Sequence, residues 1–506
     1  MGTWDGLLTG FAFALQPGVL VYCVLGVTLG TLIGVLPGIG AMAAISLLLP
    51  ITYYIGAEAA LIMLAGVYYG AQYGGAVSSI LLRLPGTPQS AVTALDGYPL
   101  ARSGRAGVAL FTSMAASFAG SVLGIVVLVL LAGWLSRAAV AFGAADYAAM
   151  MVLGLVAAST IGSAHPAKGF AMIVLGMLLG CVGTDVNSGV QRFVIGRAEL
   201  LDGINLVALA MGLFGVAEVI GNVRDPGRQA VAGRIALRTL IPTREDLRRM
   251  PLPVLRGGAL GSFFGALPGT GSTLSSFLAY AMERRVARRP ERFGTGAIEG
   301  IAGPEAANNS AAITAFVPTL TLGIPGDPIM ALMLGALVIH GIQPGPMMLE
   351  ARPEMFWGLV ASFGIGNLLL LVLNLPLIGI WVSLLRIPFR WLYPAILVFV
   401  CLGVWSVRGL TFDILMVAGI GLVGYLLALA RFNPALLLLG FVLGPLIETN
   451  LRRALLISRG DPMVFLERPI SAFFVVAAAA LLVHSLVQAR GRRRAVGAAA
   501  PDDGAR

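Results

Sequence analysis

The sequence contains few charged side chains. Only 11% of its 506 residues are Asp, Glu, Lys or Arg, whereas 58% are hydrophobic, and a soluble globular domain carries about 25% charged residues. A chain with so few charges cannot cover a globular surface with polar groups. The composition therefore excludes a soluble globular protein and fits a protein that uses the lipid bilayer as its solvent.

The sequence also lacks the residue patterns of catalytic and metal-binding proteins. Cys23, Cys181 and Cys401 are too far apart for metal or redox spacing. There is no G-x-x-x-x-G-K-[ST] phosphate loop, no H-E-x-x-H motif and no clustered carboxylate pair. We therefore expect no enzymatic activity, no catalytic residue, no metal site and no cofactor.

The net charge of +10 does not indicate a nucleic-acid partner. Most arginines lie in short connections between apolar runs and in the tail segment Arg490–Arg494. This distribution is typical of the cytoplasmic loops of membrane proteins. We expect a multi-pass protein of the bacterial inner membrane, with lipid and no nucleic acid around it.

Long charge-free runs follow one another along the chain, and about 20 apolar residues suffice to cross a bilayer as a helix. The sequence predicts an all-α polytopic membrane protein with about 10 to 12 membrane segments, some of them broken or re-entrant. The runs are Gly6–Ala57, Ala59–Leu82, Ala106–Ser136, Gly257–Met282, Met355–Leu385 and Pro469–Ala489, with shorter ones at Gly169–Thr184, Trp391–Val407, Ile414–Ala430 and Phe432–Ile447.

A polar stretch, Gly221–Arg256, divides the chain into two halves and holds eight arginines. We expect a membrane repeat over residues 1–220, a cytoplasmic basic linker over 221–256, a second membrane repeat over 257–489 and a cytoplasmic tail over 490–506. Pro242, Thr243 and Asp246 predict a capped interfacial helix within the linker.

Two motifs recur in the same order in both halves. Gly34–Gly40 (GVLPGIG) reappears at Gly265–Gly271 (GALPGTG), a displacement of 231 residues from 34 to 265. Leu84–Pro88 (LPGTP) reappears at Ile324–Pro328 (IPGDP), a displacement of 240 residues from 84 to 324. The equivalent motifs carry opposite flanking charge, which is expected when one repeat is inverted relative to the other. Chance recurrence of Pro-Gly in a glycine-rich chain is the alternative.

The Leu-Pro-Gly-x-Gly motifs interrupt apolar runs, and irregular backbone inside a membrane is tolerated only against protein or a water-filled cavity. A half-helix that starts there presents free N–H groups and a dipole that favour an anion. We predict a carboxylate-binding site at these helix starts and at the second motif of the first repeat; a simple proline kink with back-bonded Ser and Thr is the alternative. The residues are Gly38, Gly40, Thr87, Gly269, Thr270, Gly271, Ser272, Thr273 and Ser275.

The stretch Thr295–Ser310 is polar and leads directly into an apolar run. Asn308, Asn309 and Ser310 enter the membrane there, where amides need partners, so we count them among the substrate-binding residues. Hydrogen bonding between helices is the alternative. Pro304 and Glu305 are expected in the first turn of this helix.

Glu305 and Asp327 are the two acids that we expect near the cavity, and both are candidates for binding a coupling ion. Glu305 could instead be a capping acid, and Asp327 a turn residue. We interpret the aromatic and glycine-rich segment Tyr68–Gly75 mainly as close helix packing and interface anchoring, with Gln72 as a side chain that could reach the cavity.

Several of these segments together resemble the large permease subunit of the tripartite tricarboxylate transporter family, over about residues 18 to 460. The resemblance implies a partnership with a small membrane subunit and with a periplasmic solute-binding protein that delivers a carboxylate. It further implies uptake driven by an ion gradient, with Na⁺ or H⁺ as the coupling ion. The segments are Gly34–Gly40, Tyr69–Gly75, Leu84–Pro88, Ala94–Pro99, Gly265–Gly271, Glu299–Ser310 and Gly323–Gly326.

Two alternatives remain beside binding-protein-dependent carboxylate uptake. A stand-alone ion-coupled carboxylate carrier would use the same membrane segments without partners. A polytopic membrane enzyme or an assembly scaffold would need a constellation of reactive side chains that the sequence does not offer.

Overall fold

The computed structural model describes residues 3–36, 39–139, 142–161, 166–185, 188–223, 237–267, 271–342, 344–345, 348–385 and 389–498. Within these ranges the chain is almost entirely helical, and its strands are β1 (Gly183–Thr184) and β2 (Gln191–Arg192), paired antiparallel. The prediction of an all-α protein is confirmed.

The helices of the first half follow in chain order. They are α1 (Thr3–Ala14), α2 (Pro17–Val35), α3 (Gly40–Thr52), α4 (Ala57–Leu82), α5 (Thr93–Leu100), α6 (Ala106–Ala139), α7 (Ala144–Ile161), α8 (Pro166–Gly180), α9 (Leu206–Ala210) and α10 (Ala217–Val223). Short 3₁₀ helices occupy Pro88–Ala91 and Ala198–Leu200, and π-helical turns occupy Ala101–Arg105 and Met211–Val216.

The helices of the second half begin after the linker. They are α11 (Arg244–Arg249), α12 (Pro251–Gly265), α13 (Gly271–Val286), α14 (Glu299–Thr314), α15 (Phe316–Leu322), α16 (Pro328–Ile339), α17 (Met348–Ala351), α18 (Pro353–Asn374), α19 (Ile378–Leu384), α20 (Phe389–Arg408), α21 (Thr411–Leu429), α22 (Pro434–Ile457), α23 (Val464–Glu467) and α24 (Pro469–Ala498). Leu237–Leu240 and Pro290–Arg292 are 3₁₀ helices.

By length and composition, six helical segments among the described residues are apolar enough to cross a membrane, and six more apolar helices have 10–17 residues. The two helices that form the centre of the molecule, α4 and α14, belong to neither group. They are nevertheless buried at every position from Ala60 to Ile80 and from Gly300 to Thr314. These two helices are thus enclosed by the others, because only protein can satisfy their polar groups inside a bilayer.

Glycines at every fourth position bring two helices against this centre. In the first half Gly26, Gly30 and Gly34 of α2 lie against Met63, Val67 and Ala71 of α4 so closely that a Cβ atom would overlap the α4 backbone. Small residues on one helix face allow such backbone approach in membranes.

The second half repeats this packing in register. Gly257, Gly261 and Gly265 of α12 lie against Gly303, Ala307 and Ala311 of α14. Each glycine is displaced by 231 residues and each partner by 240 from its counterpart in the first half (26 to 257, 63 to 303). The two displacements are those of the two sequence motifs, so the halves are structural repeats.

The backbone at the motifs is also repeated. The helices α3 and α13 begin at Gly40 and Gly271, whose φ angles are +67° and +66°. Both are in the left-handed region that glycine adopts without strain. The second motif follows a left-handed residue in each half, Arg83 with φ +58° and Gly323 with φ +70°.

The pair α12–α13 is a hairpin. The Arg256 guanidinium, on α12, forms two hydrogen bonds of 2.8 and 2.6 Å with the Glu283 carboxylate, on α13. A continuous helix would separate these residues by about 40 Å at 1.5 Å per residue. Both arms, which have 15 and 16 residues, therefore open at the same end of the molecule.

The repeats run in opposite directions. Ile80, in the last turn of α4, lies against Gly97, and Asp96 accepts hydrogen bonds from the backbone N–H of Gly294, Gly296 and Ala297. These last residues precede α14, so the end of α4 lies beside the start of α14. At the other end Glu58, in the first turn of α4, pairs with Arg352. Since α2 runs alongside α4 and α3 returns to its start, the α2–α3 hairpin opens at this end, opposite to α12–α13.

The interfacial helix of the linker is α11. Thr243 caps it in a capping box with Asp246, which also pairs with Arg105 at the α5–α6 turn. Burial raises the pKa of Asp246, but the hydrogen bonds from Thr243 and the charge of Arg105 outweigh it and lower the pKa below its usual value. Residues 224–236 of the predicted linker lie outside the described residues.

Two predicted boundaries are wrong. The helix α14 begins at Glu299, so Pro304 lies inside it and Glu305 is not in its first turn. The Asp96 carboxylate accounts for the early start, because it binds the three N–H groups that lead into the helix. Similarly, α12 begins at Pro251, inside the stretch that we assigned to the linker.

The glycine packing gives a first prediction. Gly261→Val should strongly lower the amount of folded protein in the membrane, because the side chain would enter the space of the Ala307 backbone and overpacking costs about 1–3 kcal/mol or more. Gly419→Val is the matched control, since a Cβ there meets no atom within 4 Å. Detergent extraction with fluorescence-detected size exclusion measures both; equal abundance of the two variants would contradict the packing.

The hairpin gives a second prediction. A cavity of about 750 Å³ at its open end is lined by Arg248, Arg249, Arg256, Arg288, Arg289 and Arg292, and such a concentration of arginine favours the cytoplasm. In a cysteine-free background, Arg249→Cys and Arg288→Cys should both react with a membrane-impermeant thiol reagent from the cytoplasmic side only. Labelling of one of them from the periplasm would contradict the hairpin, and labelling of both from there would contradict the orientation.

Candidate functional site

The predicted site residues converge where the start of α13 meets the second motif of its own repeat. Gly271 lies at this start, and a Cβ on it would be 3.3 Å from the Cβ of Asp327. Asp327 is the N-cap of α16, and its Oδ1 accepts a hydrogen bond of 2.9 Å from the Met330 N–H. The acid is therefore held at a helix start that is itself next to a hairpin tip.

The first repeat supplies a partner for Asp327. The Tyr68 hydroxyl, from α4, donates to Asp327 Oδ2 at 2.5 Å and lies 3.5 Å from Ser272 Oγ. Tyr68 is fully buried. Our interpretation of it as an interface anchor is wrong, because its hydroxyl joins the two repeats at the centre of the molecule.

A second series of hydrogen-bonded side chains connects the two repeats. Thr273 Oγ1 donates to Gln89 Oε1 at 3.4 Å, and Gln89 Nε2 donates to Gln72 Oε1. Gln72 Nε2 has no hydrogen-bond partner among the described residues. Gln72 therefore carries a free buried donor one helical turn from Tyr68.

Several of the predicted polar groups are buried without partners. Among the described residues, both polar atoms of Asn308 and Oδ1 of Asn309 have no hydrogen bond, and Oγ1 of Thr87 has none beyond its capping box with Ser90. Asn308 and Asn309 are 0% exposed, and an unsatisfied buried polar group costs about 1–3 kcal/mol. Within the described residues the whole amide of Asn308 is therefore free, whereas Asn309 Nδ2 donates to the Glu305 carbonyl at 3.0 Å.

Other predicted residues have structural partners. Ser310 Oγ donates to the Gly258 carbonyl at 2.9 Å, and Ser275 Oγ donates to the Gly271 carbonyl at 3.1 Å. Ser310 therefore forms a hydrogen bond between helices, and Ser275 forms one within its own helix. These are the two alternatives to substrate binding that were given for these residues. Gly38, Gly269 and Thr270 lie outside the described residues.

Glu305 lies on α14 and joins three helices. Its Oε1 accepts a hydrogen bond from Thr93, and its Oε2 accepts one of 2.9 Å from Ser117. It is completely buried, whereas Asp327 keeps 8% exposure. Of the two coupling-ion candidates, Asp327 is the more accessible.

Three polar residues in this region were not predicted from the sequence. Gln89 and Thr93 follow the Pro-Gly-Thr-Pro motif within six residues, and that proximity was the available signal. Glu218 follows the π-helical turn Met211–Val216 and lines a small cavity with Ile39 at the tip of the first hairpin. No hydrogen bond or ion pair of Glu218 is present among the described residues.

The side chains that converge here are of kinds that can bind a ligand. No group of three or more His, Cys, Asp or Glu side chains is placed to hold a metal ion in the part of the chain that is described. What converges instead are hydroxyls, amides, helix starts and one accessible carboxylate. This set can bind a small anion together with a monovalent cation.

The sequence matches the family model described as the tripartite tricarboxylate transporter TctA family over residues 20–439. A protein of Agrobacterium vitis, "Uncharacterized 52.8 kDa protein in TAR-I ttuC' 3'region", is 49% identical over 96% of this chain and 96% of its own length. A second one, "Uncharacterized protein in TAR-II ttuC' 3'region", is 54% identical over 42% of this chain and 88% of its own length. No solved structure matches the chain.

The unpartnered amide gives a third prediction. Asn308→Ala should reduce uptake about ten- to hundredfold, since a hydrogen bond to a charged ligand contributes about 1.5–3 kcal/mol. It should leave the thermal stability of the purified protein unchanged or higher, because the protein makes no bond with this amide. Asn374→Ala, a buried asparagine near the end of α18, is the control; wild-type uptake in Asn308→Ala would remove Asn308 from the site.

Proposed function

Because the chain belongs to the tripartite tricarboxylate transporter TctA family, we propose that it is the permease subunit of a secondary transporter that imports carboxylates. In this proposal a periplasmic solute-binding protein delivers the substrate and a small membrane subunit completes the complex in the bacterial inner membrane. An ion gradient drives uptake, with no enzymatic step and no resident cofactor.

The observation that carries this proposal is the pair of oppositely oriented hairpins, α2–α3 and α12–α13, whose second helices begin at left-handed glycines. Inverted repeats and half-helices that start inside the protein are the usual frame of secondary carriers, whose sites lie where the repeats meet. Here the meeting point brings together Gly271, Ser272 and Asp327 of one repeat and Tyr68 of the other. A transporter fits this arrangement better than an enzyme or a scaffold, which would not need free polar groups in an enclosed centre.

Carboxylates fit the donors at the site. Among the described residues the amide of Asn308 has no partner, and the hydroxyl of Thr87 has none beyond its capping box with Ser90. The helix start at Gly40 has no side-chain cap. Amide, hydroxyl and backbone N–H groups are the donors that bind a carboxylate without the cost of burying a second full charge. The coupling ion is assigned to one of the two buried acids, Glu305 and Asp327.

Reconstitution gives a fourth prediction. Proteoliposomes that hold the permease, the small membrane subunit and the external binding protein should accumulate a labelled carboxylate when a Na⁺ or H⁺ gradient is imposed without ATP. Omission of either partner should reduce the rate at least tenfold, and dissipation of the gradient with an ionophore should abolish accumulation. Candidate substrates come from a thermal-shift screen of carboxylates against the cognate binding protein.

Two results would contradict the proposal. Full uptake by the permease alone would favour the stand-alone carboxylate carrier. Uptake that persists without any ion gradient, or no uptake of the carboxylate that the binding protein binds, would remove gradient-driven carboxylate import as the function.

A further inference from the structure

The inverted repeat creates two half-sites that occupy equivalent places. The displacement of 240 residues relates Tyr68 to Asn308 and Thr87 to Asp327, and the displacement of 231 relates Gly40 to Gly271. We call the set Asp327, Tyr68, Ser272 and the start of α13 the acidic half-site. The set Thr87, Asn308 and the start of α3 is the neutral half-site.

The surrounding contacts obey the same relation. Gly86 lies against Gly34 and Gly75, and its counterpart Gly326 lies against Gly265 and Ala315, at the corresponding displacements. Between repeats, α16 packs against α3 and α4 in the way that the 3₁₀ helix Pro88–Ala91 and α5 pack against α13 and α14. By the repeat relation, the contact between Tyr68 and Asp327 corresponds to the pair Asn308 and Thr87.

The two half-sites differ in charge and in the number of hydrogen bonds that their side chains already make. In the acidic half-site the carboxylate already holds the Tyr68 hydroxyl and the Met330 N–H. In the neutral half-site there is no acid, and both equivalent side chains are buried. Among the described residues Asn308 has no hydrogen-bond partner, and the Thr87 hydroxyl has none beyond its capping box with Ser90. The two half-sites occupy equivalent places in the repeats, but they differ in charge and in hydrogen bonding.

We propose that the neutral half-site binds a carboxylate group of the substrate and that the acidic half-site binds the coupling cation, Na⁺. This assignment rests on the proposed transport function and adds to it which hairpin holds which ligand. A substrate carboxylate at the neutral half-site meets only donors, whereas at the acidic half-site it would be repelled by Asp327.

Sodium fits the acidic half-site by its ligands. Asp327 Oδ2, Tyr68 Oη and Ser272 Oγ are hard oxygen donors within a few ångströms of one another. The carbonyl end of α12 is also present, since Gly265 O is 3.3 Å from the place of a Cβ on Gly326. Carbonyl ends of half-helices and unwound backbone coordinate Na⁺ in secondary carriers.

A series of hydrogen-bonded side chains joins the two half-sites. Thr273 follows Ser272 of the acidic half-site, Gln89 lies two residues after Thr87 of the neutral one, and the two are hydrogen-bonded. Gln89 in turn binds Gln72, one turn from Tyr68. Occupation of one half-site therefore moves groups that contact the other, which is what coupled binding requires.

The test measures the two ligands separately on the purified permease, by thermal stabilisation with NaCl against choline chloride and with citrate, succinate or benzoate. Thr87→Val and Thr87→Asp should weaken carboxylate affinity at least about tenfold and leave the Na⁺ affinity within about twofold. Asp327→Asn and Tyr68→Phe should weaken Na⁺ affinity at least about tenfold when no carboxylate is present. Asn at position 327 retains an oxygen that can cap α16, so this variant preserves the fold.

Thr87→Ser and Thr319→Val are the controls. The first keeps the hydroxyl, and the second removes a buried hydroxyl that bonds only its own helix. Retention of Na⁺ affinity by Asp327→Asn would overturn the cation assignment, and loss of Na⁺ affinity in Thr87→Val with normal carboxylate affinity would overturn the substrate assignment. Absence of carboxylate uptake by the reconstituted wild-type complex would instead count against the proposed function.

Discussion

Irregular backbone inside a bilayer must be enclosed by protein, and this constraint shapes the whole molecule. A break in a helix exposes backbone N–H and C=O groups, and in lipid each such group without a partner costs several kcal/mol. The glycines of α2 and α12 remove the side chains that would hold these helices away from α4 and α14. The hairpins can therefore press against a central pair of helices, which longer apolar helices then surround.

This arrangement explains why the polar helices are the central ones. The segments Ala60–Ile80 and Gly300–Thr314 carry Tyr, Gln, Asn and Ser side chains that lipid could not accept. They are stable because each faces another repeat element and because many of their groups are bonded there. The groups that remain unbonded, above all Asn308, are the exception that marks a place for a ligand.

The buried acids of this protein differ in whether their hydrogen-bond and ion-pair partners hold helices in place. Asp96 receives three backbone N–H groups and the Tyr280 hydroxyl, and Glu283 receives two bonds from Arg256. These carboxylates hold elements together: the first fixes the lead-in to α14, and the second closes the base of the hairpin. Asp327 differs because the start of α13 and a phenol from the other repeat meet at it.

Much of the frame was accessible from the sequence. The lack of charge required a membrane protein, and the paired motifs at displacements of 231 and 240 residues predicted two repeats of opposite direction, with broken helices at Gly40 and Gly271. These features depend on local backbone preferences and on hydropathy, and both can be read from short segments of the sequence. The prediction of Asn308, Asn309, Thr87 and Asp327 as candidates came from the same rules.

The partners of these residues were decided only by the tertiary structure. Nothing near Tyr68 in the chain indicates that it binds Asp327, 259 residues away, and an aromatic residue in an apolar run is equally suited to an interface. The early start of α14 depends on Asp96, which lies about 200 residues before it. Which polar groups are saturated and which are free follows from contacts between the repeats, and such long-range contacts leave no signal in the spacing of residues along one segment.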